Sequence, residues 1–132
     1  MEGAFVSTVL VIDDSETVRV QLLRAFEEAG YEVLEAENGR LGLEEMKKSK
    51  DKIDIVLCDV NMPEMDGLEM VRQVHVEEEL RGIPILMLTT EASKASKEIG
   101  KDAGVVAWIT KPFKSEKVIG AVERILKKHK KG

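Results

Sequence analysis

Asp13 and Asp14, Asp59, Thr89 and Lys111 stand just past the ends of four short apolar runs. If those runs are parallel strands of one sheet, their carboxyl ends share an edge, and residues distant in the chain line one crevice there. The crevice would hold three carboxylates, a hydroxyl and an ammonium. Two carboxylates about 4 Å apart at an effective dielectric near 20 repel by roughly 4 kcal/mol, a large fraction of a small domain's stability. Protonating one carboxyl, placing Lys111 among them or binding a cation would each offset that repulsion. Oxygen-only donors select Mg2+ or Mn2+ over Zn2+. Mg2+ uses few carboxylates and leaves positions that phosphate oxygens can fill, so the set reads as a phosphoryl site. Asp59 is the best nucleophile, because its strand lies between the acidic pair and the donors Thr89 and Lys111, and carboxylates do form acyl phosphates. Thr89 would give a hydrogen bond and Lys111 a point charge to the equatorial oxygens. Taken singly, Asp14 reads as a helix cap, Thr89 as a satisfied strand-end hydroxyl and Lys111 as a solvated lysine. Their joint placement at four strand ends favours chemistry.

Short β-branched runs alternate with stretches of helical period, the pattern of a parallel sheet covered on both faces. Five such units can be counted, with strands expected at Thr8 to Ile12, Glu32 to Ala36, Ile53 to Cys58, Ile83 to Leu88 and Val105 to Ile109. The second run alternates like an edge strand, whereas the first, third and fourth are nearly all apolar, as strands buried on both faces should be. Val18, Leu22, Leu23 and Phe26 recur at helical spacing, as do Leu68, Val71 and Val74, and Val118, Ile119, Val122 and Leu126; each stripe reads as core. Asp66 with Glu69 resembles a capping box, and Ser115 is expected to cap the last helix. Gly30 and Gly104 are expected to end the first and fourth helices.

With 132 residues, 43% of them hydrophobic, the chain suits one domain, taken as 1–132 with a core of about 6–128. The formal charge of −5 gives no overall basic field for nucleic acid or anionic lipid, so partners must be recognised locally. No apolar run is long enough to span a bilayer, and the first residues lack a signal peptide's basic segment and cleavage site, which makes the cytoplasm the expected compartment. Cys58 lies within an apolar run and is expected to be a buried hydrophobe. The basic tail KKHKKG complements a helix C-terminus. His75 and His129 have no metal-binding pattern around them.

The chain resembles a two-component response regulator receiver domain of the single-domain, chemotaxis CheY-like kind. VLVIDDS at 9–15, IVLCDVNMPEMDGLEMV at 55–71, ILMLTTE at 85–91 and AWITKPF at 107–113 carry the resemblance, which covers nearly the whole chain. It implies an α/β, doubly wound (βα)5 flavodoxin-like three-layer sandwich with five parallel strands in the order 2-1-3-4-5. It also implies that Asp59 accepts a phosphoryl group from a histidine kinase's phosphohistidine, and that Asp14, Asp59 and the backbone carbonyl of Asn61 bind Mg2+ with support from Asp13. Thr89 and Lys111 match the family's phosphoryl-binding hydroxyl and lysine, and the Lys111–Pro112 bond would be cis. In the family the hydroxyl moves toward the phosphoryl group and an aromatic three residues before the lysine turns inward. Here that aromatic is Trp108, where Tyr or Phe is commoner. Asn61 and Glu91 hold positions that tune hydrolysis of the acyl phosphate.

The same resemblance implies a phosphoacceptor signalling domain rather than an enzyme, one that assists its own phosphorylation and dephosphorylation. Its output face would be helix four, strand five and helix five, roughly 91–103, 105–109 and 115–128. Expected partners are a histidine kinase, a downstream target and a phosphatase, with the chain a monomer or a phosphorylation-dependent dimer. Two other classes compete, one sharing an Asp nucleophile, a Thr and a Lys, the other the same layer architecture. An aspartyl-nucleophile phosphohydrolase wants an acid two residues after the nucleophile, where this chain has Asn61. A flavin module wants a small-residue phosphate loop after the first strand, where this chain has Asp13, Asp14 and Ser15. A receiver excised from a larger regulator would keep the same site chemistry.

Overall fold

The computed structural model describes residues 6–90, 94–102 and 104–129. Strands and helices alternate strictly: β1 (Thr8–Ile12), α1 (Glu16–Glu28), β2 (Glu32–Ala36), α2 (Gly39–Lys48), β3 (Ile55–Asp59), α3 (Gly67–Val76), β4 (Ile85–Thr89), α4 (Lys94–Asp102), β5 (Val105–Thr110) and α5 (Ser115–His129). All strand pairs are parallel, in the order β2-β1-β3-β4-β5, so the three nearly all-apolar strands are central.

Period-two alternation divides the central strands between two cores. Leu10, Ile12, Val56, Cys58, Ile85 and Met87 face a cluster with Met46 of α2 and Met70, Val71 and Val74 of α3. Val9, Val11, Ile55, Leu57, Leu86 and Leu88 face the other, with Leu22 and Phe26 of α1 and Val118, Val122 and Leu126 of α5. The expected stripes of α1, α3 and α5 are therefore core except at Leu23, which is half-buried and belongs to neither cluster; Val18, Leu68 and Ile119 are only partly buried. Full burial of Phe26 against β1, with its ring 5.1 Å from that of Tyr31, makes it a main anchor of α1. Removing such a ring costs about 3–5 kcal/mol.

Local signals end the elements. Tyr31 N–H donates to the Phe26 carbonyl and Gly30 N–H to that of Glu27, a Schellman closure with Gly30 at φ 92. Gly104, at φ 98, closes α4 on the Lys101 carbonyl. Asp66 caps α3 by accepting from Glu69 N–H at 2.8 Å, while the Glu69 carboxylate takes Arg72 and Gln73, so half of the expected box forms. Ser115 does not precede α5 but is its first residue, and its hydroxyl accepts from Gln21 on α1.

Two strands are displaced from their expected bounds. Ile53 N–H turns back to the Ser49 carbonyl and Ile83 N–H to that of Leu80, and Pro84 has no N–H to offer, so β3 and β4 begin two residues later. Ile53 is buried in the core and half-buried Ile83 packs against it, instead of joining the ladder. Each strand also runs one residue further, pairing Asp59 with Leu88 and Thr89 with Thr110. Asp59 and Thr89 thus end their strands rather than follow them. In β5, Ile85 pairs with Val105 but Leu86 pairs with Ala107, which leaves Val106 as an extra residue. That irregularity turns Val106 outward and puts Trp108 on the same face as Val105.

Candidate phosphoacceptor site

Asp13, the first residue past β1, has every polar atom engaged. Its N–H donates to the Ala36 carbonyl of β2, its Oδ1 accepts from Ser15 N–H at 2.9 Å, and its carbonyl accepts from Arg19 Nη1 at 2.6 Å. Ser15 in turn caps α1 by accepting from Val18 N–H. Asp14 is therefore not the helix cap and stays exposed at the rim. The remaining oxygen of Asp13, Oδ2, lies 2.9 Å from Lys111 Nζ, and Asp59 Oδ2 lies 3.4 Å from the same ammonium. Asp13 and Asp59 are buried.

Lys111 follows β5 directly, its N–H donates to the Thr89 carbonyl at 2.8 Å, and its bond to Pro112 is cis. Thr89 is fully buried at the end of β4. Val60 N–H donates to Asp59 Oδ1 at 2.8 Å, and Gly67 N–H donates to the Val60 carbonyl. A Cβ at Gly67 would collide with the Asp59 carbonyl, so glycine is required for α3 to start this close to the site.

The electrostatics match the crowding. Burial, then the neighbouring Asp13 charge, pushes the Asp59 carboxyl above its ordinary value, against opposing effects of Lys111 and the Val60 N–H. For Lys111 burial is the largest single effect and acts downward. The hydrogen bond to Asp13 and the charges of Asp13 and Asp59 together outweigh it, and its pKa rises. Cys58 is fully buried and donates to the Asp59 carbonyl. Burial, then the Asp59, Asp13 and Asp66 charges, pushes its thiol far up, so it is unreactive.

One ammonium against three carboxylates leaves excess negative charge. Asp13, Asp14 and Asp59 each offer an oxygen within 4.8 Å of the others, a hard donor set that fits a divalent metal ion. Asn61 lies exposed two residues past Asp59, on the loop that leaves β3. Glu91 lies outside the described residues. Trp108 sits away from the carboxylates in mid-β5, opposite Met87, with its indole against α4: Cζ2 lies 2.6 Å from where a Gly100 Cβ would stand.

The chain matches the response regulator receiver domain over residues 9–123. It belongs to the response regulator receiver family. Among receiver proteins it is 39% identical to chemotaxis protein CheY1 of Helicobacter pylori over 89% of this chain and 95% of that one. It is 37% identical to the sensor histidine kinase CheAY of the same organism over 90% of this chain, which spans only 15% of that kinase. The structure of the chemotaxis protein CheY4 of Vibrio cholerae superposes with a TM-score of 0.84 at 38% identity, covering 91% of this chain and 98% of that one. The CheX–CheY–BeF3–Mg2+ complex of Borrelia burgdorferi matches at a TM-score of 0.84 and 25% identity, covering 90% of this chain and 88% of that one. This receiver has the CheY-like fold in the expected 2-1-3-4-5 order.

Sequence reasoning missed Arg19, whose link from the Asp13 carbonyl to Glu35 of β2 has no motif to announce it. It also missed the steric need for Gly67 and Gly100, although both glycines stand where a helix meets the sheet. Among the described residues no helix is long and apolar enough to cross a membrane.

Proposed function

We propose that this receiver is a Mg2+-dependent phosphoacceptor that takes a phosphoryl group from the phosphohistidine of a histidine kinase onto Asp59. The observation that carries this reading is the convergence of Asp13, Asp14, Asp59 and Lys111 at one sheet edge, with Thr89 buried beside them. An Asp59 carboxylate oxygen attacks phosphorus, the O–P bond forms as the P–N bond breaks, and the imidazole departs with the electron pair. Asp13, Asp14, Asp59 and the Asn61 carbonyl would hold Mg2+, or Mn2+, which when bound neutralises phosphoryl oxygens and keeps them in line. Lys111 supplies a fixed positive charge to the transferred group and Thr89 a hydrogen bond. Asn61 and Glu91 tune the later attack of water. The chain is turned over as a signal carrier and does not act on a separate small-molecule substrate.

Phosphorylation shifts a two-state equilibrium by favouring the arrangement that binds the phosphoryl group better, with Thr89 and Trp108 as the moving parts. The α4, β5 and α5 face carries the output. Support comes from exposed Val106 and from a groove along Ala107, Ile109, Glu116, Lys117 and Arg124. A target protein docking there accords with the CheX–CheY complex from Borrelia and a chemotaxis role with the CheY relatives; a phosphatase and a cytoplasmic location complete the proposed reading. Trp108 fluorescence, titrated with Mg2+ and then beryllofluoride, tests the reading. A saturable, Mg2+-dependent change in wild type that Asp59→Asn abolishes is expected, and the same change in Asp59→Asn would refute it.

A further inference from the structure

The loop from Val60 to Asp66 carries Asn61, and its far half is bent sharply. Met65 N–H donates to the Pro63 carbonyl at 2.7 Å, closing a three-residue turn, and Glu64 at its centre has φ 66. A residue with a Cβ avoids that region unless its surroundings hold it there. Beside the packing of Met62 and Met65 on the core, the turn's hydrogen bonds among the described residues reach the start of α2. Arg40 Nε donates to Glu64 Oε1 at 3.0 Å, Asn38 Nδ2 to Glu64 Oε2 at 3.4 Å, and Gly39 N–H to the Met65 carbonyl at 3.0 Å. Asn38 is buried and also caps α2 through its Oδ1, while Arg40 is oriented by a second bond to Glu44 at 2.9 Å. The positive end of the α2 dipole favours a carboxylate at this point.

The same helix touches the other side of the acidic pocket. A Cβ at Gly42 would collide with the side chain of Ile12, the residue before Asp13. The first turns of α2 thus meet both the strand that delivers Asp13 and the loop that delivers Asn61.

We propose that Arg40, acting through Glu64, is a positioning residue for the metal-binding loop, with α2 as the brace that sets the Asn61 carbonyl against the carboxylates. The proposal rests on the Mg2+ site described above. The Arg40–Glu64 pair is half exposed, and such pairs add little to global stability. Its role is to select one loop conformation, as groups that orient metal ligands do.

The test measures Mg2+ affinity by isothermal titration calorimetry, and amide hydrogen exchange of residues 61, 62, 64 and 65 without metal, in wild type, Arg40→Ala, Glu64→Gly and the double variant. Glycine at 64 tolerates the left-handed backbone, so that variant loses the strap without added strain. Each variant is expected to lose about three- to tenfold in Mg2+ affinity and to exchange faster in the loop, with a metal-free melting midpoint close to wild type. The double variant should lose no more than the singles, and Arg40→Lys should recover part of the affinity. Unchanged affinity and exchange in Arg40→Ala would overturn the proposal. Absence of Mg2+ binding by wild type would instead refute the site reading, since the metal-free exchange tests the strap by itself.

Discussion

The ammonium of Lys111 lies 2.9 Å from Asp13 Oδ2, closer than to Asp59. In this arrangement the lysine is the counter-cation of the whole acidic edge, and Asp13 is its main partner. A metal ion would compete for the same negative charge.

Lys111→Ala should therefore destabilise the metal-free protein, because it strands buried Asp13 beside Asp59 with no ammonium. Breaking a buried pair by removing one partner costs about 3–5 kcal/mol, and partial exposure of Lys111 brings the expectation to about 2 kcal/mol. Urea unfolding in EDTA measures this. Added Mg2+ should restore more stability to the variant than to wild type. Equal unfolding midpoints in EDTA would show that the pair contributes nothing.

Asp59→Asn has a defined pH signature in metal-free buffer. The folded Asp59 carboxyl has a raised pKa, so its ionised form opposes folding at every pH above that raised value. Replacing it with a neutral amide should stabilise the protein at neutral pH. The gain should shrink as pH falls through the raised pKa, and vanish below the unfolded value of about 4. Thermal melts from neutral to acidic pH check this. A gain that grew on acidification would contradict the assigned cause.

Gly100→Ala probes Trp108. The new Cβ would stand 2.6 Å from the indole Cζ2 and close to Val105, which leaves the ring to move outward. A red-shifted emission with increased quenching by acrylamide is expected. An unchanged spectrum would mean that the helix shifts instead.

Gly67→Ala should damage the site from behind. Its Cβ would collide with the Asp59 carbonyl and crowd Met87, so α3 or the end of β3 must move. Overpacking of this kind costs about 1–3 kcal/mol, and phosphorylation of Asp59 should fall with it. Normal stability and labelling would show that the contact relaxes freely.

The fold and the acidic edge were legible because each depends on chain-local patterns. Hydrophobic runs place strands, helical stripes place their covers, and a strand's end fixes where Asp13, Asp59 and Lys111 meet. Legibility failed where a residue's role depends on its neighbours in space. Ile53 and Ile83 look like strand residues because they are apolar and β-branched, yet both pack on the core before the ladder begins. Val106 gives no sign of the irregularity that sets the face of Trp108. Ser115 has a capping residue's chemistry but stands one position too late. Arg40 and Glu64 look like surface charges until the fold brings α2 against the loop after β3.

If Asp59 receives a phosphoryl group with the help of a divalent cation, the addition is visible as mass. Intact mass spectrometry reads it after incubation with phosphoramidate, a small donor with the P–N bond of phosphohistidine. Wild type with Mg2+ should gain the mass of one phosphoryl group, lose that gain in EDTA, and show none as Asp59→Asn. The same addition to Asp59→Asn, or none to wild type in the presence of Mg2+, would rule out Asp59 as the phosphoacceptor.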